Sequence, residues 1–250
     1  MPEKHFYEQK QYTQEYLLPY FQKYIPDFQN KRVLEVGCAE GGLLDSFQSI
    51  GMDVYGLELS PERANLAKEK NSRLNILVGD ITDPELISKI GKKFDLIIMR
   101  EVIEHVRDKE SAFNNLNDLL NDGGYLFISF PPKRSPFAGH QQIGRSYLKM
   151  IPYLHILPAS LLKSAARAAG ESSGYIDEIK LHFSTGCTIY DFDFHYKKRN
   201  FRVIKKDHYL FRPIYAQRFG IPTIKLPKIP LLQEYITFGC ETLLKKQSLF

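Results

Sequence analysis

The chain alternates short apolar runs with stretches whose apolar positions recur at helical spacing, and that alternation predicts its architecture. Between Phe6 and Tyr24 the residues Tyr16, Leu17, Tyr20, Phe21 and Tyr24 fall on one helical face, and Pro19 predicts a kink or a break within it. Further on, Arg32–Val36, Asp53–Leu57, Asn75–Val78, Phe94–Ile98 and Tyr125–Ser129 read as five strands. Ser60 before Pro61 and Asp83 before Pro84 are helix-start signals. Phe113, Leu116, Leu119 and Leu120 form a core stripe that Asp122-Gly123-Gly124 ends. Five runs separated by helices spell a doubly wound parallel α/β sheet.

After Phe130 the rhythm lapses into a loop from Pro131 to Gln142. A short helix is predicted from Ser160 to a stop at Gly170, with Leu161, Leu162, Ala165, Ala166 and Ala169 opposite Lys163 and Arg167. Its length of about ten residues favours a lid packed on the domain over a helix lying on a membrane. Ser184 to Asn200 reads as another helix, and Phe201–Phe211 and Glu234–Leu244 as two more strands, which brings the sheet to seven. With no repeat or linker, 1–250 is expected to be one domain: a core at 30–132, an insertion at 133–183 and a C-terminal helix with strands at 184–250.

Composition agrees with a packed domain, since 43% of the 250 residues are hydrophobic and 25% charged. No apolar run has the length of a membrane span, and no apolar signal core follows the first residues, so a cytoplasmic location is expected. Cys38, Cys187 and Cys240 are odd in number and scattered, which predicts no disulfide. Charge changes the picture more. Residues 1–130 hold 15 Lys and Arg against 21 Asp and Glu, and residues 131–250 hold 19 against 8, a swing from −6 to +11. A basic half suits phosphates, acidic sugars, nucleic acid or a lipid surface, and it equally suits a solvated face.

The sharpest chemical signal is Val33-Leu34-Glu35-Val36-Gly37-Cys38-Ala39-Glu40-Gly41-Gly42, a strand that enters a glycine turn and then a helix. Gly37 and Gly41 let backbone approach a ligand, and the first helical turn offers free N–H groups. The Gly-x-x-x-Gly spacing is not the Gly-x-Gly-x-x-Gly of a dinucleotide site, and Glu35 would repel a phosphate but suit an ammonium group. Glu58, about 20 residues on, could accept the hydroxyls of a ribose. Asp80 with Ile81 offers a carboxylate and an apolar partner for an adenine.

These residues, with the run from Phe94 to Val106 and the run from Leu119 to Leu126, resemble a class I S-adenosylmethionine-dependent methyltransferase over residues 30–132. The resemblance implies a Rossmann-like doubly wound seven-stranded sheet with a reversed last strand, an N-terminal helix and a lid insertion after the fifth strand. It implies S-adenosyl-L-methionine as donor, released as S-adenosyl-L-homocysteine, with donor contacts at Glu35, Gly37, Ala39, Gly41, Glu58, Leu59, Asp80, Ile81 and Arg100. Arg100 would act through its backbone. Ala39 stands where many members have glycine.

Glu101-Val102-Ile103-Glu104-His105 admits two readings. In one, similar to quinone-pathway methyltransferases, His105 orients the acceptor or takes its proton. In the other, Glu101, Glu104 and His105 share a helical face and bind Mg²⁺ or Mn²⁺. The first is preferred, so no metal is expected. His140, in Gly139-His140-Gln141 after the fifth strand, is the first candidate base, in a segment similar to sugar- and polysaccharide-pathway enzymes. The acceptor is placed under Lys133 to Gly170. The whole predicts O-methylation of an anionic or sugar-like small molecule. The alternatives are a quinone-pathway O-methyltransferase, a metal-assisted RNA 2′-O-methyltransferase or a non-catalytic cofactor-binding subunit, with nucleic acid the less expected partner.

Overall fold

The aromatic stripe near the N-terminus folds as a helix, α1 (Pro2–Tyr12), which runs through a π-helical turn at Thr13–Leu17 into α2 (Leu18–Tyr24). Pro19 therefore does not break the element. It sits in the first turn of α2, directly after the wider π turn, where a missing N–H and a bulky ring are tolerated. The computed structural model describes residues 2–248, and among them no helix is long and apolar enough to cross a membrane.

The alternating region forms β1 (Arg32–Val36), α3 (Gly42–Ser49), β2 (Asp53–Glu58), α4 (Pro61–Lys70), β3 (Asn75–Val78), α5 (Leu86–Ile90), β4 (Phe94–Arg100), α6 (Lys109–Leu119) and β5 (Leu120–Phe130). Ser60 Oγ accepts the Arg63 N–H, with Pro61 in the first turn of α4. Near Pro84 the chain first makes a turn, in which Asp83 accepts the Glu85 N–H at 2.9 Å, and α5 starts only at Leu86. Asp122-Gly123-Gly124 lies inside β5, where the pairing with β4 shifts register. Gly123 supplies φ +73° at that irregularity.

The second half contains α7 (Ala159–Ala168), α8 (Ser173–Thr185), α9 (Ile189–Lys198), β6 (Phe201–Phe211), α10 (Pro213–Phe219), β7 (Ile224–Leu226), α11 (Gln233–Ile236) and β8 (Gly239–Lys246). Two expectations are corrected. The helix predicted from Ser184 to Asn200 is interrupted, because α8 ends at Thr185 and Thr188 opens α9 with a capping box to Asp191. The strand predicted from Glu234 begins only at Gly239, after the short α11.

The strands form one sheet in the order β3-β2-β1-β4-β5-β8-β6-β7. β1 to β5 are parallel, and β8 inserts antiparallel between β5 and β6, so the reversed last strand is as expected. The count is eight and not seven, because three residues of β7 pair with the outer edge of β6. Apolar layers cover both faces, one centred on Phe94, Ile97, Phe113 and Phe192, the other on Leu43, Phe47, Phe127 and Phe21. The inserted segment has a small core of its own, in which Leu148, Leu154, Leu162 and Ala166 meet Tyr175 and Ile179.

Candidate active site

Between β1 and β4 the strand order reverses, and in such sheets the carboxyl ends of the strands leave a crevice there. A cavity of about 770 Å³ occupies it. Gly37 and Ala39 line it after β1, Glu58 and Leu59 at the end of β2, and Asp80 and Ile81 after β3. Its other half is bounded by Arg100, Glu101, Ser129, Arg212 and Glu241, beneath Tyr12 of α1 and Tyr215 of α10.

The glycine turn owes its shape to steric limits. Gly37 has φ +72°, and a Cβ there would stand 2.3 Å from Val102 Cγ2, so backbone abuts the cavity wall. Glu58 is buried; its Oε2 accepts the Ala39 N–H at 2.8 Å and its Oε1 the Ser60 N–H at 3.0 Å. It thereby joins the turn after β1 to the end of β2. Asp80 Oδ1 accepts both the N–H and the hydroxyl of Thr82 at 2.8 Å. Ile81 is buried, and Leu59 stands open at the rim.

Two residues assigned to the donor do not border the cavity. Gly41, at φ +78°, faces Leu74 and Ala67 and shapes the junction of β1 and α3. Glu35 is sealed behind the turn, where its Oε1 accepts from Arg100 Nη2 at 3.2 Å and its Oε2 has no partner. Burial pushes its carboxyl up to about 7, against the pull of the Arg100 guanidinium. Arg100 was expected to act through its backbone. Its side chain instead reaches Glu35 and leaves Nε unpartnered.

Glu101 to His105 is a turn and not a helix, so the three side chains do not share a helical face. Glu101 has φ +54°, and Arg212 grips its carboxylate with both terminal nitrogens while Ser129 Oγ donates to it at 3.3 Å. Burial alone would raise its pKa, but Arg212 holds it below the usual carboxylate range. Glu104 is buried with one oxygen unpartnered, and burial together with the Glu101 charge pushes its pKa well up. His105 lines the cavity, its Nε2 4.0 Å from Glu104 Oε1. Burial and the nearby His182 lower its pKa.

His140 does not line the cavity, and neither does any other residue of 133–183. It stacks on His182 with ring centroids 4.1 Å apart and meets the His105 ring edge-on at 5.1 Å. Burial and His182 press its pKa down to about 4.

Several groups escaped the sequence reading. Ser129, Glu241 and Asp207 continue from Arg100 as register partners across β4, β5, β8 and β6, a polar row at the end of the sheet. Tyr16 Oη donates to Glu241 at 2.7 Å and lies 3.0 Å from Tyr209 Oη. Glu241 carried one signal: it is a lone acid in the apolar stretch from Thr237 to Leu244.

Comparison with known proteins agrees with this geometry. Residues 7–170 match the methyltransferase domain family. Ubiquinone biosynthesis O-methyltransferase of Bordetella avium is 31% identical over 169 residues, covering 63% of this chain and 69% of that protein. The protein of the same name from Paraburkholderia phymatum is 30% identical over 148 residues, 56% of this chain and 64% of its own length. The matched region thus spans about two thirds of these curated relatives. Two solved structures share the fold: the plantazolicin methyltransferase BamL, in complex with a triazolic desmethylPZN analog and SAH (TM-score 0.61, 12% identity, 98% of this chain and 87% of that one), and an S-adenosylmethionine dependent methyltransferase from Mesorhizobium loti (0.57, 13%, 91% and 96%). The chain belongs to the methyltransferase domain family, as its resemblance to the S-adenosylmethionine-dependent class implied.

Proposed function

We propose that the chain moves a methyl group from S-adenosylmethionine to an oxygen of a small molecule seated beneath the N-terminal helix, and that a quinone precursor is the best-supported acceptor. The observation that carries this is the continuity of one cavity from Gly37, Glu58 and Asp80 to a chamber of mixed aromatic and polar character under Tyr12 and Tyr215. The relatives named as ubiquinone biosynthesis O-methyltransferases support the quinone-pathway acceptor.

The residues fit the donor. Glu58 would hold the ribose hydroxyls, Asp80 the adenine amino group and Ile81 the ring, while Gly37 and Ala39 present backbone where a side chain would block approach. Glu35, with an oxygen unpartnered behind the turn, would favour a positively charged amino group nearby. Leu59 would close the rim of the pocket, Gly41 would act only by setting the junction of β1 and α3 behind it, and Arg100 would fix Glu35. When bound, S-adenosylmethionine supplies a methyl group already activated by its sulfonium. The protein's own task is to align the acceptor oxygen and remove its proton. His105 borders the cavity, and desolvation with His182 nearby lowers its pKa and so favours the neutral ring that a base needs, which makes it our candidate base. His140 meets its ring edge-on and would set its orientation. We read residues 30–132 as the donor core, 133–183 as a flap beside it and 184–250 as the element that completes the sheet.

A second reading keeps an anionic or sugar-like acceptor, favoured by the guanidinium group of Arg107 on the cavity wall, since Arg212 and Arg218 there are engaged by Glu101 and Glu8. Measuring S-adenosylhomocysteine release with quinone precursors, sugar nucleotides and short RNA separates these readings. Turnover with quinone precursors alone supports the first, and turnover with sugar nucleotides alone replaces it with the second.

A further inference from the structure

The flap formed by residues 133–183 has a surface that the proposed reaction does not use. Of the 21 large apolar side chains exposed among the described residues, eight lie within the 19 positions from 143 to 161. Ile143, Tyr147, Met150, Ile151, Ile156 and Leu161 are among them, with Tyr147 66%, Met150 70% and Leu161 56% open. They are not the leftovers of a poorly packed segment. The 3₁₀ turn at Tyr147–Met150 buries Leu148, and α7 buries Leu162 and Ala166 against Tyr175 and Ile179 of α8, so the flap has a filled core and still turns these groups outward.

Charge says what covers them. Between Asp122 and Glu171 the chain has no acidic residue and six basic ones. Four of these, Arg145, Lys149, Lys163 and Arg167, are exposed within or beside the apolar stretch. Glu171 is turned to the Ser146 N–H at 2.6 Å. Nucleic acid gains little from exposed isoleucine, leucine and methionine. An anionic bilayer takes both features: apolar side chains enter the boundary of headgroups and acyl chains, tyrosines sit at that boundary, and lysine and arginine meet the headgroups.

We infer that residues 143–167 form a docking surface for an anionic lipid bilayer, on which the chain rests without spanning it. The same flap carries His140, whose ring meets His105 at the cavity wall, so docking holds the cavity beside the bilayer. The inference goes beyond the proposed reaction and does not depend on the acceptor.

Co-sedimentation of the full chain with phosphatidylcholine vesicles, with and without phosphatidylglycerol, tests it directly. Expected is sedimentation with the phosphatidylglycerol vesicles that weakens as salt rises. The partition should fall by roughly tenfold or more in a Met150→Ser, Leu161→Ser double variant and again in Lys149→Ser, Lys163→Ser, Arg167→Ser. All the substituted side chains are exposed, and circular dichroism with a thermal midpoint confirms that each variant is folded. Wild-type protein that stays in the supernatant overturns the inference. So do folded variants that sediment like wild type, or a short single-stranded RNA that displaces the protein from the vesicles.

Discussion

Arg212 and Glu101, 111 positions apart in sequence, face each other in a two-pronged ion pair with Nη1 2.8 Å from Oε2. The pair fastens the turn after β4 to the end of β6 across the cavity wall, and it holds Glu101 at its left-handed φ of +54°. Arg212→Met leaves Glu101 without its partner. A sealed pair broken in this way costs about 3–5 kcal/mol, but Glu101 keeps 40% of its side-chain surface open, and solvent lowers the expected loss to about 1–3 kcal/mol. Chemical denaturation measures the loss, and adding Glu101→Gln should restore part of it.

The same pair bears on metal dependence. With the Glu101 carboxylate engaged by Arg212 and the turn from 101 to 105 non-helical, Glu101, Glu104 and His105 do not converge on one point. Activity should therefore survive EDTA. Loss that Mg²⁺ or Mn²⁺ restores would mean that Arg212 releases Glu101 in the working enzyme.

Glu35 makes stability depend on pH. Its carboxyl moves from the usual 4.5 to about 7 on folding, so the neutral form is the one the fold favours. The stability linked to it is complete below about 4.5 and is lost as pH rises through about 7. Between those limits wild type should lose about 2–3 kcal/mol relative to Glu35→Gln, read from thermal midpoints along a pH series. Parallel pH profiles for the two proteins would contradict this.

His105, like His5, borders the cavity, and partial desolvation with His182 beside it lowers its pKa below the ordinary histidine value. His105→Ala should lower kcat by about 10²-fold or more with donor affinity nearly unchanged, and the wild-type rate should fall only below the ordinary histidine range. His140→Ala should have a smaller effect through the orientation of His105. An equal or larger loss in His140→Ala would return the base to the flap.

The parts of the site legible in the sequence are those built by local chain geometry. Gly37, Glu58 and Asp80 follow successive strands, and a strand that ends in a turn can be seen in a few residues. Arg212, Glu241 and Tyr16 were not legible, because they meet only through the register of β6 and β8 and the docking of the N-terminal helix. The helical spacing read into Glu101 to His105 failed for a related reason. Arg212 and the wall at Val102 and Gly37 impose a turn that local propensity does not contain. The acceptor was placed under the flap because the flap follows β5, whereas the cavity extends under α1 and α10, whose positions depend on long-range packing.

The central claim is that Gly37, Glu58 and Asp80 form a site for S-adenosylmethionine, and calorimetric titration with S-adenosylhomocysteine tests it most directly. Wild type should bind one equivalent, and Glu58→Gln, which loses the charge that would hold the ribose and can accept only one of the two backbone N–H groups that Glu58 holds, should bind more weakly by about 1–3 kcal/mol. Absence of binding by folded wild-type protein, or tighter binding of NAD than of S-adenosylhomocysteine, would contradict the account.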